Sequence, residues 1–213
     1  MTVATDRVLA QDLTSSRVKT AYGDVLMTHP DRTWEQFKCL QKGFKGSRDV
    51  KLFYLDKTIE ILMPGRAHEL FKSVIGFLLE LFLLDQRVEF LPIGSMTREK
   101  DCVASAEPDE SYEIQGFNLS IEVNFTSGNI SKLERYKVLE TDEVWLWEDG
   151  VLKVYHLSDG SYERVENSLI PALSALDISL FTKCVLLGET SRIQAADRLR
   201  EAYAKNAQED TQK

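Results

Sequence analysis

The sequence predicts an α/β layer fold of the α+β kind: one mixed β-sheet flanked by helices, extended by an N-terminal helix and a β-hairpin. Three observations predict it. The segment between the runs Phe117–Phe125 and Glu143–Glu148 has the length of a helical crossover, the connection that parallel strands require. Asp149-Gly150 and Asp159-Gly160 are two-residue hairpin turns, which join antiparallel strands. Leu70, Val74, Phe77, Leu78, Leu81 and Leu84 form an apolar stripe wide enough to lie on a sheet.

Each element follows from local chemistry. Residues 1–27 are weakly patterned and read as a mobile arm or a peripheral strand. Thr33 can cap a helix that begins at Trp34, with Gln36 completing a capping box and Gly43 and Gly46 ending it. Val50–Leu55 and Thr58–Met63 alternate as a hairpin about Asp56-Lys57. Pro64-Gly65 breaks the chain before a helix over Ala67–Leu84. Val88–Ile93 is a strand, Arg98–Ala106 a polar loop, and Asp109–Ile114 and Phe117–Phe125 two strands about Gln115-Gly116. A helix over Ile130–Glu140 leads to the strand Glu143–Glu148, then to strands Val151–Leu157 and Ser161–Val165. A capped helix over Ser191–Ala204 presents Ile193, Ala196, Leu199 and Tyr203 on one face. The expected organisation is an arm (1–27), one domain (28–190) and a C-terminal helix and tail (191–213).

Composition limits the function. With 43% hydrophobic residues the 213-residue chain can bury a proper core. A net charge of −8 opposes broad, non-specific nucleic-acid binding and leaves room only for a local basic groove. Cys39, Cys102 and Cys184 are far apart and odd in number, which fits neither a disulfide framework nor structural zinc. No apolar run is long enough to span a bilayer, and a cytoplasmic protein is expected. His29, His68 and His156 lack zinc-ligand spacing, and no phosphate-binding loop or nucleophile elbow occurs.

The candidate chemistry lies in Pro108–Asn124. Asp109 and Glu122 fall on neighbouring strands, where two carboxylates can share a hard divalent ion such as Mg²⁺ or Mn²⁺ with the Val123 backbone carbonyl. Glu122 interrupts Leu119-Ser120-Ile121-Glu122-Val123, and a carboxylate buried there needs a partner, a proton or a metal. Glu107, Glu110 and Glu113 add nearby negative charge. The alternative is that Asp109 and Glu122 are solvent-facing residues of alternating strands. Lys132, in the first turn of the next helix, can return to the end of the Glu122 strand and steady a phosphate; its alternative is a surface lysine lying along its helix. His68 opens the long helix as a local hydrogen-bonding residue or a contact at the mouth of a site. Arg98, Lys100 and Lys137 are the nearest basic groups for a nucleic-acid backbone.

At these residues the sequence resembles the Uma-two family of restriction-endonuclease-like proteins. The stretches that carry the resemblance are YLDKTIEILMPGRAHEL, GSMTREKD, AEPDESYEI, LSIEVNFTS and SKLERYKVLETDEVWLWEDGVLKVYHL, which together span most of the chain between Trp34 and Phe181. The resemblance implies a restriction-endonuclease-like, PD-(D/E)xK nuclease fold. It matches Pro108-Asp109 to the family's proline–aspartate pair and Glu122 to its strand glutamate. Lys132, with Leu133 and Tyr136 in a K-L-x-x-Y pattern, stands in for the lysine expected at Asn124, and His68 matches the helix-opening histidine. It further implies Mg²⁺- or Mn²⁺-dependent cleavage of DNA by a homodimer. The chain departs from the pattern at Asn124, where relatives often carry an acidic residue. That departure keeps open a catalytically inactive binding or assembly module, beside a phosphodiesterase for RNA or nucleotides.

Overall fold

Hairpins with alternating apolar residues build a first sheet, and the single helical crossover builds a second. The computed structural model describes residues 17–47, 49–125 and 129–210. In chain order the elements are β1 (Arg17–Ala21), β2 (Asp24–His29), α1 (Trp34–Gly43), β3 (Lys51–Leu55), β4 (Thr58–Met63), α2 (Arg66–Asp85), β5 (Phe90–Pro92), β6 (Arg98–Lys100), β7 (Ala104–Ala106), β8 (Glu110–Ile114), β9 (Phe117–Val123), α3 (Asn129–Val138), β10 (Glu143–Glu148), β11 (Val151–Ser158), β12 (Ser161–Val165), α4 (Ile178–Gly188) and α5 (Arg192–Asp210). The chain is α+β. Among the described residues it forms two six-stranded sheets rather than the single sheet expected, ordered β1-β2-β4-β3-β7-β6 and β12-β11-β10-β9-β8-β5. The first sheet is antiparallel throughout. The second is mixed: β9 and β10 run parallel, with Ile121 opposite Trp145, and its other pairs are antiparallel.

The local rules account for most elements. Thr33 and Gln36 form the reciprocal capping box, Gln36 N–H donating to Thr33 Oγ1 at 3.3 Å and Thr33 N–H to Gln36 Oε1 at 2.9 Å. Asp149-Gly150 and Asp159-Gly160 both have positive φ at each residue, as the tight hairpin turn requires. Ser191 caps α5 through Gln194 N–H at 3.2 Å.

Three readings change. Arg98–Ala106 is not a loop but the β6–β7 hairpin. Its Ala-Ser-Ala strand has little intrinsic β preference, and it forms because Tyr54 and Leu55 of β3 pair with Ser105 and Ala104. Residues 17–27 of the expected arm form β1 and most of β2, and β2 runs on to His29, pairing with β4. Residues 1–16 lie outside the described residues. Ile193 is 76% exposed at the rim of α5, whereas Ala196 and Leu199 of the same expected face are buried. A helix the pattern reading left out, α4, starts at an Asp177 cap and buries Ile178, Phe181 and Val185.

Alternation sorts the strands onto two faces. Leu119, Ile121 and Val123 of β9 and Trp145 and Trp147 of β10 join α2, α4 and α5 in the largest core. The opposite faces of the two sheets meet at a seam containing Leu26, Phe53, Leu62, Ala106, Val144, Leu146 and, from α3, Tyr136. On the far side of the first sheet, Phe37 of α1 packs on Leu52, Tyr54, Ile59 and Ile61. The seam positions the site. Asp24 has the parity of Leu26, Lys51 that of Phe53, Glu60 that of Leu62, and Glu122 that of Ser120, so charged residues enter the seam at apolar positions. Among the described residues no helix is long and apolar enough to cross a membrane.

Candidate functional site

Five elements deliver side chains to one buried cluster in the seam. Asp109 stands just before β8, its N–H bonded to Ile121 O at 3.0 Å, so the first pairing step beyond the strand holds it beside β9. Its Oδ2 accepts from Val123 N–H at 2.6 Å. Its Oδ1 accepts from His68 Nε2 at 2.8 Å and from the Lys51 ammonium. Lys51 also reaches Pro108 O at 3.1 Å. The other imidazole nitrogen of His68, Nδ1, meets Asp24 Oδ2 at 2.8 Å, and Asp24 Oδ1 accepts from Gly65 N–H at 2.7 Å. Gly65 is required here: a Cβ at that position would lie 2.5 Å from the Gly23 backbone, so the β1–β2 turn can approach only a glycine.

Glu122 forms the other half. Its Oε2 accepts from Lys132 Nζ at 2.7 Å, and its Oε1 accepts from the Tyr136 hydroxyl. Lys132 and Tyr136 are one turn apart on α3, which places both over the end of β9. Lys132 also lies 3.5 Å from Val123 O. Asp24, Lys51, His68, Asp109, Glu122, Lys132 and Tyr136 are all buried.

Electrostatics bind these groups to one another. Burial pushes His68 down, but the Asp109 and Asp24 carboxylates outweigh it and raise its pKa to about 9, so His68 carries a proton at neutral pH. Burial would raise Asp109; Lys51 and His68 reverse this and hold it well below the usual carboxylate range. Burial likewise opposes the Lys51 charge, yet Asp109 and Glu122 raise its pKa. Burial and the adjacent Glu122 push the Tyr136 phenol well up, which keeps it a donor.

The remaining expected site residues have other partners. Glu107 is half-buried, accepts from Thr97 Oγ1 at 3.3 Å, and is raised by burial although Lys51 partly offsets this. It lines a groove of about 640 Å³ with Lys38, Lys42 and Lys45. Asn124 is buried; its N–H bonds Trp147 O at 2.8 Å and its Nδ2 donates to Glu148 Oε1 at 3.0 Å. Arg98 ties β6 to the turn after α3, through Thr141 Oγ1 at 2.9 Å and Leu139 O at 3.4 Å. Pattern reading missed Lys51 and Asp24. The available signal was a charge at an apolar-parity position in VKLFYL and in DVLMTH; nothing local names Asp109 or His68 as the partner.

Magnesium and manganese take hard oxygen ligands, and two carboxylates with the Val123 carbonyl suit them in kind. The arrangement does not. Each carboxylate oxygen of Asp109 and Glu122 already accepts a hydrogen bond. The acids Asp24, Asp109 and Glu122 face Lys51, protonated His68 and Lys132, so the cluster is neutral without an added ion. Among the described residues no group of three His, Cys, Asp or Glu side chains is placed to hold a metal. A divalent ion at Asp109 would meet the Lys51 ammonium at close range.

What the arrangement can do is hold two carboxylates and a lysine in fixed register at a strand end, with an imidazolium and a phenol orienting the acids. No family model matches the chain, and no curated protein matches it.

Proposed function

We propose that the chain is a phosphodiester hydrolase of the metal-dependent nuclease class, acting on DNA, with a restriction-endonuclease-like second sheet. The single observation that supports this reading is the meeting of Asp109, at the start of β8, with Glu122 and Lys132 at the end of β9. The same residues carry the sequence resemblance. In this proposal Lys132 steadies charge developing on a phosphate oxygen, Tyr136 holds Glu122, and His68 orients Asp109. Mg²⁺ or Mn²⁺ is the cofactor the reading calls for, and two copies of the chain would suit cleavage of both strands.

A second reading has an observation of its own. The neutral, fully paired cluster suits a non-catalytic binding or assembly module, in which these charges specify the seam rather than react.

The test incubates the purified chain with linear, supercoiled and single-stranded DNA, and with RNA and nucleotides, in Mg²⁺ or Mn²⁺. Metal-dependent DNA cleavage that disappears in Asp109→Ala and in Lys132→Ala is expected. Absence of cleavage of every DNA form, or cleavage that survives both substitutions, overturns the nuclease reading. Cleavage confined to RNA or nucleotides reassigns the substrate.

A further inference from the structure

We propose that Lys51 is a built-in counter-ion occupying the cation position at Asp109, so that metal loading requires Lys51 to leave. This rests on the metal-dependent reading above and adds a control over the same site. Lys51 projects from β3 of the first sheet, across the seam, onto a carboxylate of the second. Its ammonium is buried and has two oxygen acceptors, Asp109 Oδ1 and the Pro108 carbonyl at 3.1 Å. That is an oxygen environment of the kind a hard cation takes, filled by a tethered one. Glu122 also attracts it, so Lys51 sits in the field of both acids that a metal would need.

The same geometry supplies an alternative seat. Glu107 immediately precedes Pro108, whose carbonyl already accepts from Lys51, and the Lys51 charge already acts on it. Glu107 is half-buried, with Thr97 as its side-chain partner. An ammonium displaced from Asp109 can pair with Glu107 without leaving the seam for water. The two lysines then have separate tasks: Lys132 stays on Glu122, and Lys51 moves.

The test is Mn²⁺ binding, read by calorimetry and by the electron paramagnetic resonance of free Mn²⁺, on wild type, Lys51→Met, Lys51→Gln, Lys51→Arg and Lys51→Met/Asp109→Asn. Removing one like charge a few ångströms from a divalent ion tightens binding by at least about tenfold. Lys51→Met and Lys51→Gln are expected to gain this, Lys51→Arg to gain nothing, and Asp109→Asn to cancel the gain. Mn²⁺ binding to wild type with no gain in either neutral variant overturns the Lys51 role and leaves the metal site standing. No Mn²⁺ binding in any folded variant overturns both. A second measurement uses the wild-type protein: acylation of Lys51 by an amine-reactive reagent, mapped by mass spectrometry. Labelling that rises with Mn²⁺ occupancy supports displacement, and unchanged labelling at saturating Mn²⁺ overturns it.

Discussion

The two faces of β9 show two ways of filling a protein interior. Ile121 and Val123 enter a core of aromatic and aliphatic groups beneath α2, where any shape of the right volume contributes. Glu122, between them in sequence, enters the seam and is buried to the same degree. The apolar face gains from removing hydrocarbon from water. The seam face must first offset the desolvation of charges, and holds together because each charge has a partner. Energy is therefore spread over many contacts on one side and concentrated in a few on the other. Function sits on the concentrated side, because only there is chemistry kept ready.

The largest expected effect breaks the seam. Asp109→Ala leaves Lys51 and protonated His68 buried without their shared partner and should cost about 3–5 kcal/mol in urea denaturation. Ile121→Ala, one strand position from Glu122, should cost about 2–5 kcal/mol by the same measurement, from lost burial and a residual cavity. The two differ in their response to pH. His68 titrates at about 9 in the folded chain, above its ordinary 6.5, so its contribution is complete below about pH 6.5 and is lost as pH rises through 9. Up to about 3 kcal/mol of stability should disappear over that window, and His68→Gln should flatten the profile. Ile121→Ala should keep the wild-type profile. Denaturation midpoints collected from pH 6 to 10 check both. The smallest effect is expected where charges are wet: Lys38→Ala breaks its pair with Glu99, 2.9 Å away on the surface, and should change stability by no more than about 1 kcal/mol in a thermal melt.

Local patterns made much of the fold legible. The Thr33 capping box, the two Asp-Gly turns and the α2 stripe each depend on residues within a few positions of one another, so short-range sterics and hydrogen bonding decide them. Patterning failed where pairing partners are distant. The Ala104–Ala106 strand exists because β3 is beside it, and two sheets replace one because β3 and β4 never pair with β8 or β9. The α2 stripe was right in kind and shifted in detail: Leu84 is exposed, whereas Ile75, Leu79 and Phe82 are buried, since α4 and α5 cover a second side of the helix.

For the site, the sequence by itself determined that Asp109 and Glu122 lie on neighbouring strands and that Lys132 and Tyr136 share a helix face. Strand alternation and the 3.6-residue turn are local, and a charge within an apolar run announces burial wherever it occurs. Only the tertiary structure decided that Lys51 and Asp24 join them and that the cluster is electrically closed. Lys51 and Asp109 are separated by 58 residues, and Asp24 and His68 by 44. Their meeting depends on how two sheets face each other across α3, a choice made by the packing of Leu26, Phe53, Tyr136, Val144 and Leu146 rather than by any preference those charged residues carry alone.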